Sequence, residues 1–386
     1  MTSASRELVL NRTCFYDFHC QSGAKIVDFF GWEMPVMYRS VHEEHRQVRS
    51  YGGVFDVSHM GRLRLSGGGA RRLLERVLTR RIGDMAPSTC RYSLVCNEQG
   101  GTLDDVIVYR FDDHWLLVVN ASNREKIVAH LELQQGGAVG VTIEDQTMST
   151  GMVAVQGPEV MRIIGDFSTE IPTLKRYAFC VKDLLVLKLI VSRTGYTGED
   201  GVEVIVGAKM AETVLKLLMP DRGEGDASRL APVGLGARDS LRLEAGMPLY
   251  GHELDEQTDP ISAGLSFAVS FDKKDQDGGE PFIGQAALES VAASPQRRLV
   301  GLKLDGRRTA RQSMPVLIGE RQVGAVTSGC VSPTLEVPIA MAYVQVDDSA
   351  ESTDVDIDMG RGRVAAQIVP LPFYRRGSRE QGAGSA

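Results

Sequence analysis

Apolar and polar positions alternate along three consecutive stretches, RYSLVCN (91–97), TLDDVIVYRF (102–111) and HWLLVVNAS (114–122), separated by EQGG and DD. Period-two runs bounded by turn residues predict three short strands in a meander. The period then changes. Ile127, Val128 and Leu131 recur at helical spacing, and Ser122 with Glu125 supplies the S-x-x-E of a capping box, so REKIVAHLEL (124–133) is expected to be a helix. A second helix is expected over LGARDSLRLEA (235–245), ending at Gly246 as a natural C-cap. Hairpin strands with helices interposed argue for an α+β fold rather than a doubly wound parallel sheet. Two polar, Gly-rich stretches punctuate the chain, DRGEGDASR (221–229) and DKKDQDGGEP (272–281). The sequence character changes across the second. Beyond it, short β-branched runs such as RRLVGLKL (297–304) and RQVGAVTSG (321–329) alternate with turn residues, which suits a small antiparallel barrel or sandwich. The boundary therefore falls near 275, with residues 1–8 and the tail after Arg375 expected to fray.

Composition narrows the classes. A chain of 386 residues is too long for one ordinary core and implies two or three lobes. Its net charge of −7, from 43 basic and 50 acidic side chains, disfavours nucleic acid and anionic membrane as partners, since both require clustered positive charge. The most apolar run, LLVLKLIV from Leu184, is short, broken by Lys188 and unable to span a bilayer. The N-terminus has neither a signal-peptide core nor the character of a transit peptide, so a cytoplasmic location is expected. The six cysteines, at 14, 20, 90, 96, 180 and 330, form no Cys-x-x-Cys pair and are expected to be reduced thiols.

Three segments could carry chemistry. In GGTLDDVIVY (100–109) two glycines close a hairpin and two adjacent carboxylates follow on the strand. Alternation sets Asp104 on one face with Val106 and Val108, and Asp105 on the other with Leu103, Ile107 and Tyr109. A carboxylate entering an apolar pocket must be hydrogen-bonded or shifted in pKa; otherwise both are turn-proximal surface charges. In SRTGYTGEDGVEV (192–204), glycines flank Tyr196-Thr197, and Glu203 could accept two parallel hydrogen bonds from an amidine-like edge. In PVGLGARDSLRLEAGMPLYGHELDE (232–256), Arg238 and Arg242 stand i, i+4 on one helix face, either to grip a carboxylate or to pair with Asp239 and Glu244 in solvent. The remaining signals are weak. SGGGARR (66–72) lacks the Gly-Lys-Ser/Thr end of a phosphate loop, and His42-Glu-Glu-His45 has the wrong spacing for a zinc helix, so no metal is expected. No G-x-S-x-G elbow or dinucleotide fingerprint is present.

Taken together, and with GAKIVDFFGWEMP (23–35), GVFDVSHMGRLRLSG (53–67), VVNASNREK (118–126), VAVQGP (153–158), TSGCVSPTL (327–335) and PFYR (372–375), these segments resemble the T-protein (aminomethyltransferase) family of the glycine cleavage system from about Leu10 to Arg375. The resemblance implies a three-lobed folate-binding fold. Two α+β lobes occupy 1–275, with about 55–145 inserted between 1–54 and 146–275, and an antiparallel β-barrel occupies 276–386. It implies transfer of a one-carbon unit from the aminomethyl-dihydrolipoyl arm of H-protein to tetrahydrofolate, with the other glycine cleavage proteins as partners.

Carried onto this sequence, the family's catalytic aspartate falls on Asp105. Glu203 is expected to hold the pterin amidine edge, Tyr196 to pack near the ring and Arg238 to contact folate. Tyr92, Tyr109, Asn120 and Met60 are expected to line the cavity, and Arg375 to reach the substrate's distal carboxylate. The chain departs from the family in two places. LTRRIGD (78–84) stands where an Asn-Asp pair is usual, and STCRYSL (88–94) where Gly-Lys-Ala leads into the tyrosine strand. Arg71, Arg72, Arg80 and Arg81 are candidates for a patch facing an acidic carrier. Two alternatives share the folate pocket: a demethylase of a small methylated compound, and a non-catalytic folate-binding accessory protein.

Overall fold

A computed structural model of the chain describes residues 9–136, 140–184, 187–219, 230–275 and 280–377. The stretch 221–229, the centre of 272–281, residues 1–8 and the last nine residues lie outside the described residues.

The meander forms. Strands Thr89–Cys96, Thr102–Arg110 and His114–Val119 are consecutive neighbours in a five-stranded antiparallel sheet completed by Gly61–Ser66 and Thr142–Asp145. Its two faces follow from alternation. Val106 and Val108 pack under the helices Ala70–Val77 and Arg124–Gln135, against Leu74, Val77, Ile127 and Leu131. Tyr109, Leu116 and Val118 face the other way, onto Phe55, Met152, Ala154 and Ile205 of a second sheet.

That second sheet has six strands, in the order Phe179–Leu184, Leu187–Ser192, Gly201–Gly207, Thr150–Gln156, Gly53–Asp56 and Ala231–Pro232. Its outer face is covered by Val160–Gly165 and Ala211–Leu218. A small third sheet, made of Asn11–Arg12, Lys25–Phe29 and Trp32–Met37, projects the turn at Phe30.

The helix Leu235–Glu244 lies where expected, and Gly246 follows it at φ +64°, a conformation glycine adopts without cost. The capping box does not form. Ala121–Asn123 is a 3₁₀ turn, the helix starts at Arg124, and no side chain caps it. Asp104 explains the difference: it binds the Asn120 backbone N–H and the Asn123 side chain, so Ser122 falls inside the tightened turn.

Beyond residue 296 the chain forms a closed six-stranded antiparallel barrel, which resolves barrel against sandwich. Arg297–Leu304 pairs with both Pro338–Gln345 and Arg363–Val369, leaving no free edge, and Val300, Leu302, Val326, Ala342 and Ile368 fill the interior. All six cysteines are free thiols. Among the described residues no helix is long and apolar enough to cross a membrane.

Candidate active site

Where the two sheets, the helix Leu235–Glu244 and the Phe30 turn converge, they enclose a cavity of about 480 Å³, within the range that holds a cofactor-sized ligand. Asp105 and Tyr109 enter from the five-stranded sheet, Glu203 from the six-stranded sheet and Arg238 from the helix.

Asp105 opens onto this space. Its neighbour Asp104 lies behind the strand and is fully buried. Asn120 joins them, its Nδ2 donating to Asp104 Oδ1 at 2.8 Å and to Asp105 Oδ1 at 2.7 Å. Tyr92 lies diagonally across the strand pair on the same face as Asp105, and its hydroxyl donates to Asp105 Oδ2 at 3.1 Å. Asp104 takes the Asn120 backbone N–H at 3.0 Å and Asn123 Nδ2 at 2.6 Å. It is therefore not a turn-proximal surface charge, the alternative that the sequence left open. It anchors the loop that presents Asn120 to Asp105. Burial raises the pKa of both carboxyls above the ordinary aspartate value, and Asp104 is pushed further by the charge of Asp105. Hydrogen bonds from the two asparagines and Tyr92 pull partly the other way.

At the far wall, Glu203 is buried and accepts a hydrogen bond from the Thr194 hydroxyl. Thr194 is linked through Ser192 Oγ (2.8 Å) to the Tyr109 hydroxyl (3.0 Å), so one hydroxyl chain joins the sheets behind the cavity. Burial raises the Glu203 carboxyl, with Thr194 and the Arg238 charge opposing it; burial lowers the Arg238 guanidinium.

Arg238 lies 4.8 Å from the centre of the Tyr196 ring, and its Nη1 is buried with no hydrogen-bond partner. No ion pair joins it to Glu203 among the described residues. A buried unpaired guanidinium nitrogen beside a cavity-facing carboxylate is complementary to a planar heterocycle with N–H donors next to a carbonyl acceptor. Tyr196 lines the same wall and donates its hydroxyl to the Pro248 carbonyl. Gly195 also permits a close approach within the protein: a Cβ there would sit 1.8 Å from Gln156 Oε1.

Eight of the nine expected residues thus meet at one cavity: Asp105, Glu203, Arg238, Tyr196, Tyr92, Tyr109, Asn120 and Met60. Arg375 does not. Tyr374 turns inward under the Arg49 guanidinium, 3.8 Å from it, while Arg375 is exposed and is not part of the cavity lining. Arg242, the i+4 partner of Arg238, touches the wall but is held by Asp239 at 2.9 Å, Glu253 at 2.7 Å and Ser328 of the barrel at 2.8 Å. Glu244 pairs instead with His45 and Arg49.

Sequence reasoning missed His59. It lines the cavity with Nδ1 buried and unpartnered, and burial pushes its pKa down to about 4, which keeps it neutral at pH 7. The available signal was DVSHMG, where the turn closed by Met60 N–H to the Val57 carbonyl at 3.1 Å brings His59 in together with Met60.

Residues 15–273 match the GCVT N-terminal domain family, and residues 297–375 match the glycine cleavage T-protein C-terminal barrel domain family. An aminomethyltransferase of Rubrobacter xylanophilus is 44% identical over 379 residues, covering 98% of each chain. One from Symbiobacterium thermophilum is 41% identical over 374 residues, 95% of this chain and 98% of that one. The crystal structure of the glycine cleavage system aminomethyltransferase T from Bartonella henselae matches with a TM-score of 0.85 at 33% identity, covering 95% of this chain and 98% of the other. With nearly the whole chain matched, from the asparagine-braced aspartate to the closed barrel, this protein belongs to the glycine cleavage T-protein family of aminomethyltransferases.

Proposed function

We propose that this chain takes the methylene carbon of an aminomethyl group carried on the dihydrolipoyl sulfur of H-protein and gives it to tetrahydrofolate, releasing 5,10-methylenetetrahydrofolate, ammonia and dihydrolipoyl H-protein. The two N–H hydrogens lost by tetrahydrofolate end on the sulfur and on the ammonia, so the exchange needs no oxidant. The observation that carries the reading is Asp105, a carboxylate braced by Asn120 and Tyr92 and aimed into a cavity whose opposite wall holds Glu203 and the unpartnered Arg238. Glu203 would accept from the amidine edge of the pterin, Arg238 would donate to its carbonyl, and Tyr196 would pack beside the ring. That placement leaves the attacking pterin nitrogen at Asp105, which orients it by accepting its N–H. Met60, His59 and the rings of Tyr92 and Tyr109 would shape the remaining wall and exclude water.

Turnover is the test. Aminomethyl-loaded H-protein with tetrahydrofolate should yield methylenetetrahydrofolate and ammonia. Turnover of a free methylated sulfonium or amine in its place would favour the demethylase reading, and folate binding without any transfer would favour the accessory-protein reading. Glu203→Ala is expected to weaken tetrahydrofolate binding by about tenfold or more, since a charge-assisted pair of hydrogen bonds is lost. Unchanged affinity by calorimetry would refute the pterin-edge role.

A further inference from the structure

The side-chain amide of Asn120 has its orientation fixed by the groups around it. One hydrogen of Nδ2 goes to Asp104 Oδ1 at 2.8 Å and the other to Asp105 Oδ1 at 2.7 Å, with the Asp105 carbonyl at 3.2 Å. Asp104 also holds the Asn120 backbone N–H at 3.0 Å and Asn123 Nδ2 at 2.6 Å, so the loop cannot swing away from it. A flipped amide would turn Oδ1 onto two carboxyl groups, acceptor against acceptor. The network therefore selects one orientation.

That orientation commits both Nδ2 hydrogens to the aspartates and leaves Oδ1 over. Among the described residues Oδ1 has no hydrogen-bond partner, and it is not sealed inside the protein. Asn120 lines the cavity beside Asp105, so an acceptor oxygen stands open there, one amide group away from the Asp105 carboxylate. Donating to carboxyl groups polarises the amide and strengthens this oxygen as an acceptor.

The transfer reading brings three nitrogens close to the migrating carbon. The attacking folate nitrogen belongs at Asp105. The second folate nitrogen is an arylamine and stays neutral until it closes the ring. The third is the amine carried by the carbon itself. It becomes cationic as it takes up a hydrogen given up by folate, and it then leaves as ammonia. Cationic N–H groups make the stronger hydrogen bonds to oxygen. The amine must also lie near the attacking nitrogen, since both share one carbon during the exchange. A fixed, polarised acceptor beside Asp105 meets both requirements.

We propose that Asn120 Oδ1 accepts an N–H of the departing amine, which makes Asn120 a catalytic residue and a determinant of specificity. A plain methyl group offers no N–H to this oxygen. Asp104 is the positioning residue: it is fully buried, lies outside the cavity wall and acts only by holding the amide. The inference rests on the transfer reading above.

Run in reverse, the reaction makes ammonia a free substrate, so its binding can be read separately. The experiment is steady-state kinetics with methylenetetrahydrofolate, dihydrolipoyl H-protein and varied ammonium chloride at one fixed pH, on wild type, Asn120→Ala and Asp104→Asn. Calorimetry of tetrahydrofolate binding accompanies it. Asn120→Ala should raise the KM for ammonia by about tenfold, the size of one charge-assisted hydrogen bond, and change tetrahydrofolate affinity by less than about twofold. Asp104→Asn leaves the cavity wall intact and weakens one of the two acceptors that hold the amide, so it should raise the same KM by about threefold. It also keeps the test readable where Asn120→Ala turns over too slowly. Two results would overturn the proposal. A lower kcat with an unchanged ammonia KM in both variants would leave Asn120 as a brace for Asp105 alone. A loss of tetrahydrofolate affinity as large as the rise in ammonia KM would give Oδ1 to a folate N–H instead. If wild type bound tetrahydrofolate but ran in neither direction with H-protein, the transfer reading itself would fall, and the amine contact with it.

Discussion

Asp104 and Asp105 are adjacent in sequence and have unlike surroundings because a strand turns successive side chains to opposite faces. That much was legible beforehand. The three N–H donors on Asp104 were not, since Asn120 and Asn123 follow it by 16 and 19 residues and reach it only when the meander closes. Asp105 is to act as a carboxylate, and burial raises its pKa, so activity should fall on acidification while the pH is still above the ordinary 3.8. Asp105→Asn should lose about a hundredfold or more in transfer rate, still bind tetrahydrofolate and lack that acid limb. A fully active variant would remove Asp105 from the mechanism. Asp104 tests the same physics through stability. Its folded pKa is raised, so its contribution is greatest below the unfolded value of about 3.8 and declines as pH rises through the folded value. Melting temperatures of Asp104→Asn should therefore improve relative to wild type as pH rises; parallel curves would contradict the raised value.

At the scale of elements, periodicity located the meander, the arginine helix and its glycine stop, because each depends on neighbours within a few residues. The capping box failed where a distant carboxylate outcompeted a local motif. The loop around Tyr196 shows a third case. Its flanking glycines were legible in the sequence, but what Gly195 makes room for was not: the nearest group is the Gln156 amide, which itself donates to the Thr194 and Val202 carbonyls. Gly195→Ala is expected to destabilise the fold by about 1–3 kcal/mol in urea denaturation through this overlap. Combined with Gln156→Ala, the cost should be less than the sum of the two, because the second change removes the clash. Strict additivity would show that the loop relaxes independently of Gln156.

For the whole molecule, barrel and α+β region are joined at Glu244. The carboxylate accepts from His45 Nε2 at 3.1 Å, Arg49 Nη2 at 3.0 Å, the Thr334 N–H at 3.0 Å, the Thr334 hydroxyl at 2.8 Å and the Ser332 hydroxyl. No local pattern could announce partners nearly 200 residues before it and about 90 after it. Burial favours the neutral acid, but the His45 hydrogen bond and the charge of Arg49 hold its pKa at about 2, below the unfolded 4.5. Stability from this group is present above pH 4.5 and lost as pH falls towards 2. Glu244→Gln should cost about 2 kcal/mol at neutral pH, with Arg49 still paired to Glu199 at 2.9 Å, and should expose the barrel junction to early cleavage in limited proteolysis. Cleavage no faster than in wild type would mean the barrel is held elsewhere. The mouth of the cavity has a consequence of a different kind. Phe30, Tyr177 and Phe267 line the cavity yet stay 62%, 47% and 61% exposed, open to water until a ligand covers them. Ligand-free protein should accordingly self-associate on concentration, with light scattering that falls when folate is added, so the same rings that frame the site make the empty enzyme a poor colloid.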